Sequence, residues 1–109
     1  MINDTLEGLY QVVRDRKDNP QEGSYTCYPF EKGLDKILKK VGEECSETII
    51  AAKNGKNDDT SGEICDLIYH LLVMMAELDI PLEQVTDILE RRRQKIVNLK
   101  NFHQTDRET

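Results

Sequence analysis

Apolar residues recur every three or four positions through three consecutive blocks, and no stretch shows the alternation of period two that a half-buried strand requires. Leu34, Ile37, Leu38, Val41, Cys45, Thr48, Ile49 and Ala52 mark one stripe of a helix over about 34–54, which the polar Asn54-Gly55 turn closes. Ile64, Leu67, Ile68, Leu71, Leu72, Met75 and Leu78 mark a second helix, opening near Thr60 and stopping before Pro81. Pro81 suits the first turn of a third, on which Leu82, Val85, Ile88, Leu89, Ile96 and Leu99 recur. Ahead of these, Leu6, Leu9, Val12 and Val13 place another helix over about 2–17, and DNPQEGS follows it as a loop. Pro29 argues for an ordered, partly extended connection through SYTCYPFEKG. The expected fold is all-α, an antiparallel bundle of about four helices.

With 109 residues the chain is expected to be a single domain over 1–109, its core within about 6–100 and a polar tail at about 103–109. A net charge of -6 argues against docking on nucleic acid or on an anionic membrane, so the basic residues need a local reason. The longest uninterrupted apolar run, 71–76, is far short of the roughly 20 residues of a membrane span. Three cysteines without a C-x-x-C pair, and no basic-then-apolar leader in MINDTLEGLYQVV, point to the reducing cytoplasm. Cys45 and Cys65, on or near apolar stripes, are expected in the core.

The acids are arranged less ordinarily than the stripes. Glu43, Glu44 and Glu47 stand on one predicted helix, Glu63 and Asp66 on the next, each set within about one turn. Like charges at this spacing repel, and Glu44 and Glu63 lie at stripe margins, where a charge is costly unless paired or coordinated. A hairpin of the two helices would line a groove with four or five carboxylates. Such a groove suits Mg²⁺, a cation that prefers oxygen ligands and bridges carboxylates to phosphates; two isolated histidines, His70 and His103, fit zinc poorly. Plainer readings coexist: Thr60-x-x-Glu63 as a capping box, and Glu43 and Glu44 paired with Lys40 and Lys39. Lys36, Lys39, Lys40 and Lys53, and the run Arg91 to Arg93, could neutralise phosphate oxygens or form solvated faces. His70 could be the partner of a neighbouring acid, and Tyr25 and Tyr28 could cover a base or simply pack.

The strings GLDKILKKVGEECSETIIAAKNG and EICDLIYHLLVMMAE resemble the phosphoribosyl-ATP pyrophosphohydrolases of histidine biosynthesis, within the MazG-like all-α nucleotide pyrophosphohydrolases. The E-E-x-x-E and E-x-x-D pattern marks the wider group; KKVGEE, AAKNG and DLIYHLLV mark this member. The resemblance implies Mg²⁺-dependent hydrolysis of phosphoribosyl-ATP to phosphoribosyl-AMP and pyrophosphate, the second step of the pathway. It implies Glu44, Glu47, Glu63 and Asp66 as metal ligands, with Glu43 orienting or deprotonating the attacking water. Substrate contacts are expected from Lys36, Lys39, Lys40, Lys53, Asn54, His70 and Arg92. A homodimer with sites built where helices of two chains meet is implied as well. Cys45 and Ser46, where small residues such as Ala are common, and Pro29 depart from the pattern without touching the acids. No cyclohydrolase domain is expected beside the hydrolase. A MazG-like enzyme acting on a free (d)NTP is the nearest alternative, and a non-enzymatic helical dimerisation module is one of another class.

Overall fold

A computed structural model describes residues 2–20 and 28–102, with the side chains of 4–20 and 29–98. Five helices follow in order: α1 (Ile2–Asp18), α2 (Tyr28–Lys32), α3 (Leu34–Lys53), α4 (Asn57–Glu77) and α5 (Leu82–Phe102). No strand occurs among the described residues, so the chain adopts the all-α class expected of it. The extended connection expected around Pro29 is instead the short helix α2. Pro29 occupies its first turn, where a missing N–H costs nothing and a fixed φ is already helical. Tyr25 and the tail 103–109 lie outside the described residues, as does the side chain of Tyr28.

α3 and α4 form the hairpin that organises the molecule, with α1 laid on α4 and α2 on both. Gly55, at φ 73°, takes the left-handed position after α3, and its N–H donates to Ala52 O at 3.1 Å, closing the helix. α4 opens at Asn57, ahead of the Thr60 start expected from the sequence. Lys56 takes the N-cap position in extended conformation without a side-chain cap hydrogen bond, and Asp58 and Asp59 in the first turn favour the positive end of the dipole. The capping box therefore does not form; the Thr60 hydroxyl donates to Lys56 O at 2.8 Å.

At its other end α4 closes through Asp79, a non-glycine residue at φ 57°. Asp79 N–H donates to Ala76 O at 3.2 Å and Ile80 N–H to Met75 O at 2.9 Å, satisfying carbonyls the helix leaves open. α1 secures this end: Lys17 Nζ donates to Ala76 O at 2.8 Å, Lys17 and Arg14 pair with Asp79 at 3.3 and 3.1 Å, and the Tyr10 hydroxyl donates to Ile80 O. Beneath these contacts Tyr10, Val13, Ile37, Leu72, Val73, Met75, Ala76 and Leu82 form the buried core.

That core uses only part of the stripes. On α3 the seam Ile37, Val41, Glu44, Thr48 and Ala51 is buried or half-buried, whereas Leu38, Cys45, Ile49 and Ala52 are exposed. Cys45 and Cys65, expected in the core, are thus exposed free thiols, because the apolar arc is wider than one chain can cover. Ile49 and Ile50 are 68% and 59% exposed on α3, and Ile96 is 64% exposed on α5. The radius of gyration, 17.1 Å, exceeds the roughly 13 Å of a compact domain of about 100 residues.

Candidate metal centre

Glu44 occupies a position that the seam of α3 would ordinarily give to an apolar residue. Ile37, Val41, Glu44, Thr48 and Ala51 succeed one another by four and three, so the turn that buries Ile37 also carries Glu44 to 5% exposure. Half-buried Glu63 and exposed Asp66, three apart on α4, face it. One carboxylate oxygen from each of Glu44, Glu63 and Asp66 lies within 4.8 Å of the others. Thr48 fixes the crossing: its hydroxyl lies 2.7 Å from Glu44 O on its own helix and 3.3 Å from Glu63 O on α4.

The electrostatics are those of a site short of positive charge. Glu44 Oε2 and Glu63 Oε2 are buried without a hydrogen-bond partner, a costly condition for a carboxylate. Lys40 Nζ stands 3.8 Å from both Glu43 Oε1 and Glu44 Oε1, an ion-pair separation beyond hydrogen-bond reach, and shares one charge between the two carboxylates. Glu47, one turn beyond Glu43 and exposed, is held above the ordinary carboxylate range. A hydrogen bond shared with the Glu44 carboxyl is the first cause and repulsion from Glu44 the second, with Lys40 opposing them. Buried orphan oxygens and an all-oxygen donor set fit a hard divalent cation such as Mg²⁺ or Mn²⁺.

Two hollows flank the cluster. On one side Glu47, Glu63 and Asp66 line an open groove of about 460 Å³ with Asn54 and Lys56. On the other, Lys36, Lys40 and His70 share a smaller cavity of about 260 Å³. The structure thereby brings Glu44, Glu63 and Asp66 to one place, with Glu47 in the adjoining groove outside that cluster and Asn54, Lys36, Lys40 and His70 lining the hollows beside it. Glu43 is tied to Lys40 at the margin. Lys39 and Lys53 are exposed and line neither hollow, and Arg92 stands in a separate groove on α5 with Arg91 and Lys95. His70 Nδ1 lies 2.9 Å from the Asp66 main-chain oxygen, so its partner is the backbone and not an acid side chain. Sequence reading passed over Thr48 and Lys56. Thr48 was legible in principle, four residues after Glu44 on one seam; Lys56 is a turn residue whose place depends on how the hairpin closes.

Residues 6–93 match the family described as phosphoribosyl-ATP pyrophosphohydrolase. The chain is 56% identical over 103 residues to a phosphoribosyl-ATP pyrophosphatase of Clostridium botulinum (strain Kyoto / Type A2), covering 94% of each. It is 58% identical over 91 residues to the Listeria innocua protein of the same name, covering 84% of this chain and 87% of that one. A histidine biosynthesis bifunctional protein of Caldanaerobacter subterraneus is 54% identical over 90 residues, 83% of this chain but 44% of that protein.

Proposed function

The chain belongs to the phosphoribosyl-ATP pyrophosphohydrolase family, and from that premise we propose that it hydrolyses the α–β anhydride of phosphoribosyl-ATP, yielding phosphoribosyl-AMP and pyrophosphate in histidine biosynthesis. One observation carries the mechanism: three carboxylates from α3 and α4 converge within 4.8 Å, and two of their buried oxygens have no donor. Glu44, Glu63 and Asp66 would hold Mg²⁺, with Glu47 completing the set from the groove. When bound, the cation supplies Lewis-acid polarisation of phosphate oxygens and offsets the charge of the leaving pyrophosphate.

The chain's own groups do the rest. Lys40, beside Glu44, neutralises a phosphate oxygen. Asn54 and Lys56 at the far end of the groove hold the departing pyrophosphate. Glu43, held at the margin by Lys40, orients the attacking water and accepts its proton. The exposed apolar face of α3, the open α5 and the elongated shape support a homodimer, in which Ile49 and its neighbours meet a second chain. A reducing cytoplasm suits the exposed thiols of Cys45 and Cys65, and no helix among the described residues is long and apolar enough to cross a membrane.

Release of pyrophosphate measured with Mg²⁺ from phosphoribosyl-ATP and from each canonical (d)NTP tests the reading. The expected result is strong preference for phosphoribosyl-ATP; preference for a canonical nucleoside triphosphate would overturn it.

A further inference from the structure

We propose that the cavity between α2, the first turns of α3 and the middle of α4 is the subsite for the 5′-phosphate and ribose that distinguish phosphoribosyl-ATP from ATP, an inference that rests on the phosphoribosyl-ATP reading. Such a substrate has a triphosphate at one end and a lone phosphate dianion at the other, with a flat purine between them. The two hollows match that layout, because the acid cluster lies between them. The groove past Glu63 and Asp66 takes the polyphosphate, leaving the cavity of about 260 Å³ for the remainder.

Its lining has the required chemistry. Pro29, Ile37 and Tyr69 offer apolar surface for the purine and ribose faces, and Ile37 is itself fully buried. Lys32, Lys36 and Lys40 line the same cavity, and no carboxylate does. Lys40 marks the end at the metal cluster, 3.8 Å from Glu44. Lys36 stands one turn back, about 6 Å along the axis at 1.5 Å per residue, and Lys32 follows beyond the Gly33 break. Ammonium groups thus continue away from the reacting phosphates.

His70 adds a group for the sugar. A carbonyl oxygen only accepts, so Nδ1, 2.9 Å from one, is the donor, and in that tautomer Nε2 accepts from a ribose hydroxyl. Tyr69 meets the imidazole edge-on, at 5.0 Å and 87°. Polyphosphate chemistry is common to every nucleoside triphosphate, so selectivity for this substrate must come from a site that reads its extra phosphate. Lys32 and Lys36 are the cations placed to do so.

The test compares competitive inhibition by phosphoribosyl-AMP and by AMP, in the Mg²⁺-loaded enzyme and in the K32Q/K36Q variant. Wild type is expected to bind phosphoribosyl-AMP more tightly than AMP. The double variant should lose about tenfold or more of that preference, the value of one charge-assisted hydrogen bond, with KM for phosphoribosyl-ATP rising more than kcat falls. K32R/K36R should restore it. An unchanged inhibition ratio, or an equal loss for both nucleotides, overturns the subsite while leaving the functional reading intact. A wild-type enzyme that releases no pyrophosphate from phosphoribosyl-ATP overturns both.

Discussion

Replacing Glu44 by Gln separates a metal ligand from a structural acid, because the two roles move stability in opposite directions. Glu44 is 5% exposed, and its carboxylate lies within 4.8 Å of oxygens from Glu63 and Asp66. At 4.8 Å two unit charges repel by about 3.5 kcal/mol at an effective dielectric of about 20, and by about 0.9 kcal/mol in bulk water. Glu63 is half-buried and Asp66 exposed, so removing the Glu44 charge relieves about 1–3 kcal/mol. The variant forfeits the 3.8 Å contact with Lys40, a lysine 54% exposed, worth about 0.2–1 kcal/mol. In EDTA the variant is therefore expected to be more stable by about 1–2 kcal/mol, a midpoint about 5–10 °C higher in a chain of this size. With Mg²⁺ the order reverses. Wild type gains about 2.7 kcal/mol at a hundredfold excess over Kd, and the variant gains little. Turnover should fall at least about 100-fold, since 2.7 kcal/mol of transition-state stabilisation corresponds to that factor. Thermal melts of both proteins across a Mg²⁺ titration, with pyrophosphate release alongside, provide the check. A variant that melts below wild type in EDTA, or that gains equally from Mg²⁺, refutes the reasoning.

Tyr10→Phe removes the hydroxyl that reaches Ile80 O and should cost about 1 kcal/mol in chemical denaturation without altering turnover. Asp79 is held below its ordinary 3.8 by hydrogen bonding to Lys17 and then by the charges of Lys17 and Arg14. Its stabilising contribution is therefore complete above that value and is lost as pH falls through the lower folded one; Asp79→Asn should flatten this acid limb in urea midpoints. Glu47 has the opposite sign: in EDTA its contribution is lost as pH rises from 4.5 through the raised folded value. Mg²⁺ should abolish that dependence, and Glu47→Gln should lack it from the start. If the exposed stripe of α3 is the seam of the proposed homodimer, Ile49→Asp places a charge in it and is expected to lower the mass seen by sedimentation equilibrium from two chains toward one. An unchanged mass would remove this face from the interface.

Local rules reached far into this chain. The spacing of Leu, Ile and Val gives three long helices their place, Asn54-Gly55 their turn, and Pro81 the start of α5, because backbone geometry ties a period of 3.6 to one conformation. The pairing of Glu43, Glu44 and Glu47 with Glu63 and Asp66 was readable for the same reason: carboxylates three or four apart share a face whatever surrounds them. Lys56 and Asp58 start α4 three residues early, through a capping choice that spacing alone does not resolve.

Burial was another matter. Cys45 and Glu44 are neighbours, and hydrophobicity orders them the wrong way: the cysteine is exposed and the glutamate buried. Which side of a broad apolar arc faces inward is set by the rotation of α3 against α4, a property of two helices together. The same crossing, held by Thr48, decides that Lys36 and His70 share a cavity while Lys39, on the same helix, faces water. Periodicity placed the long helices and the acids and lysines they carry, though not α2 or the first turn of α4, because that pattern depends on residues within a turn of one another. Which carboxylates lose their water, and which cations stand beside them, depends on the packing of α3 against α4, since desolvation and Coulomb energy follow distances between residues far apart in the chain.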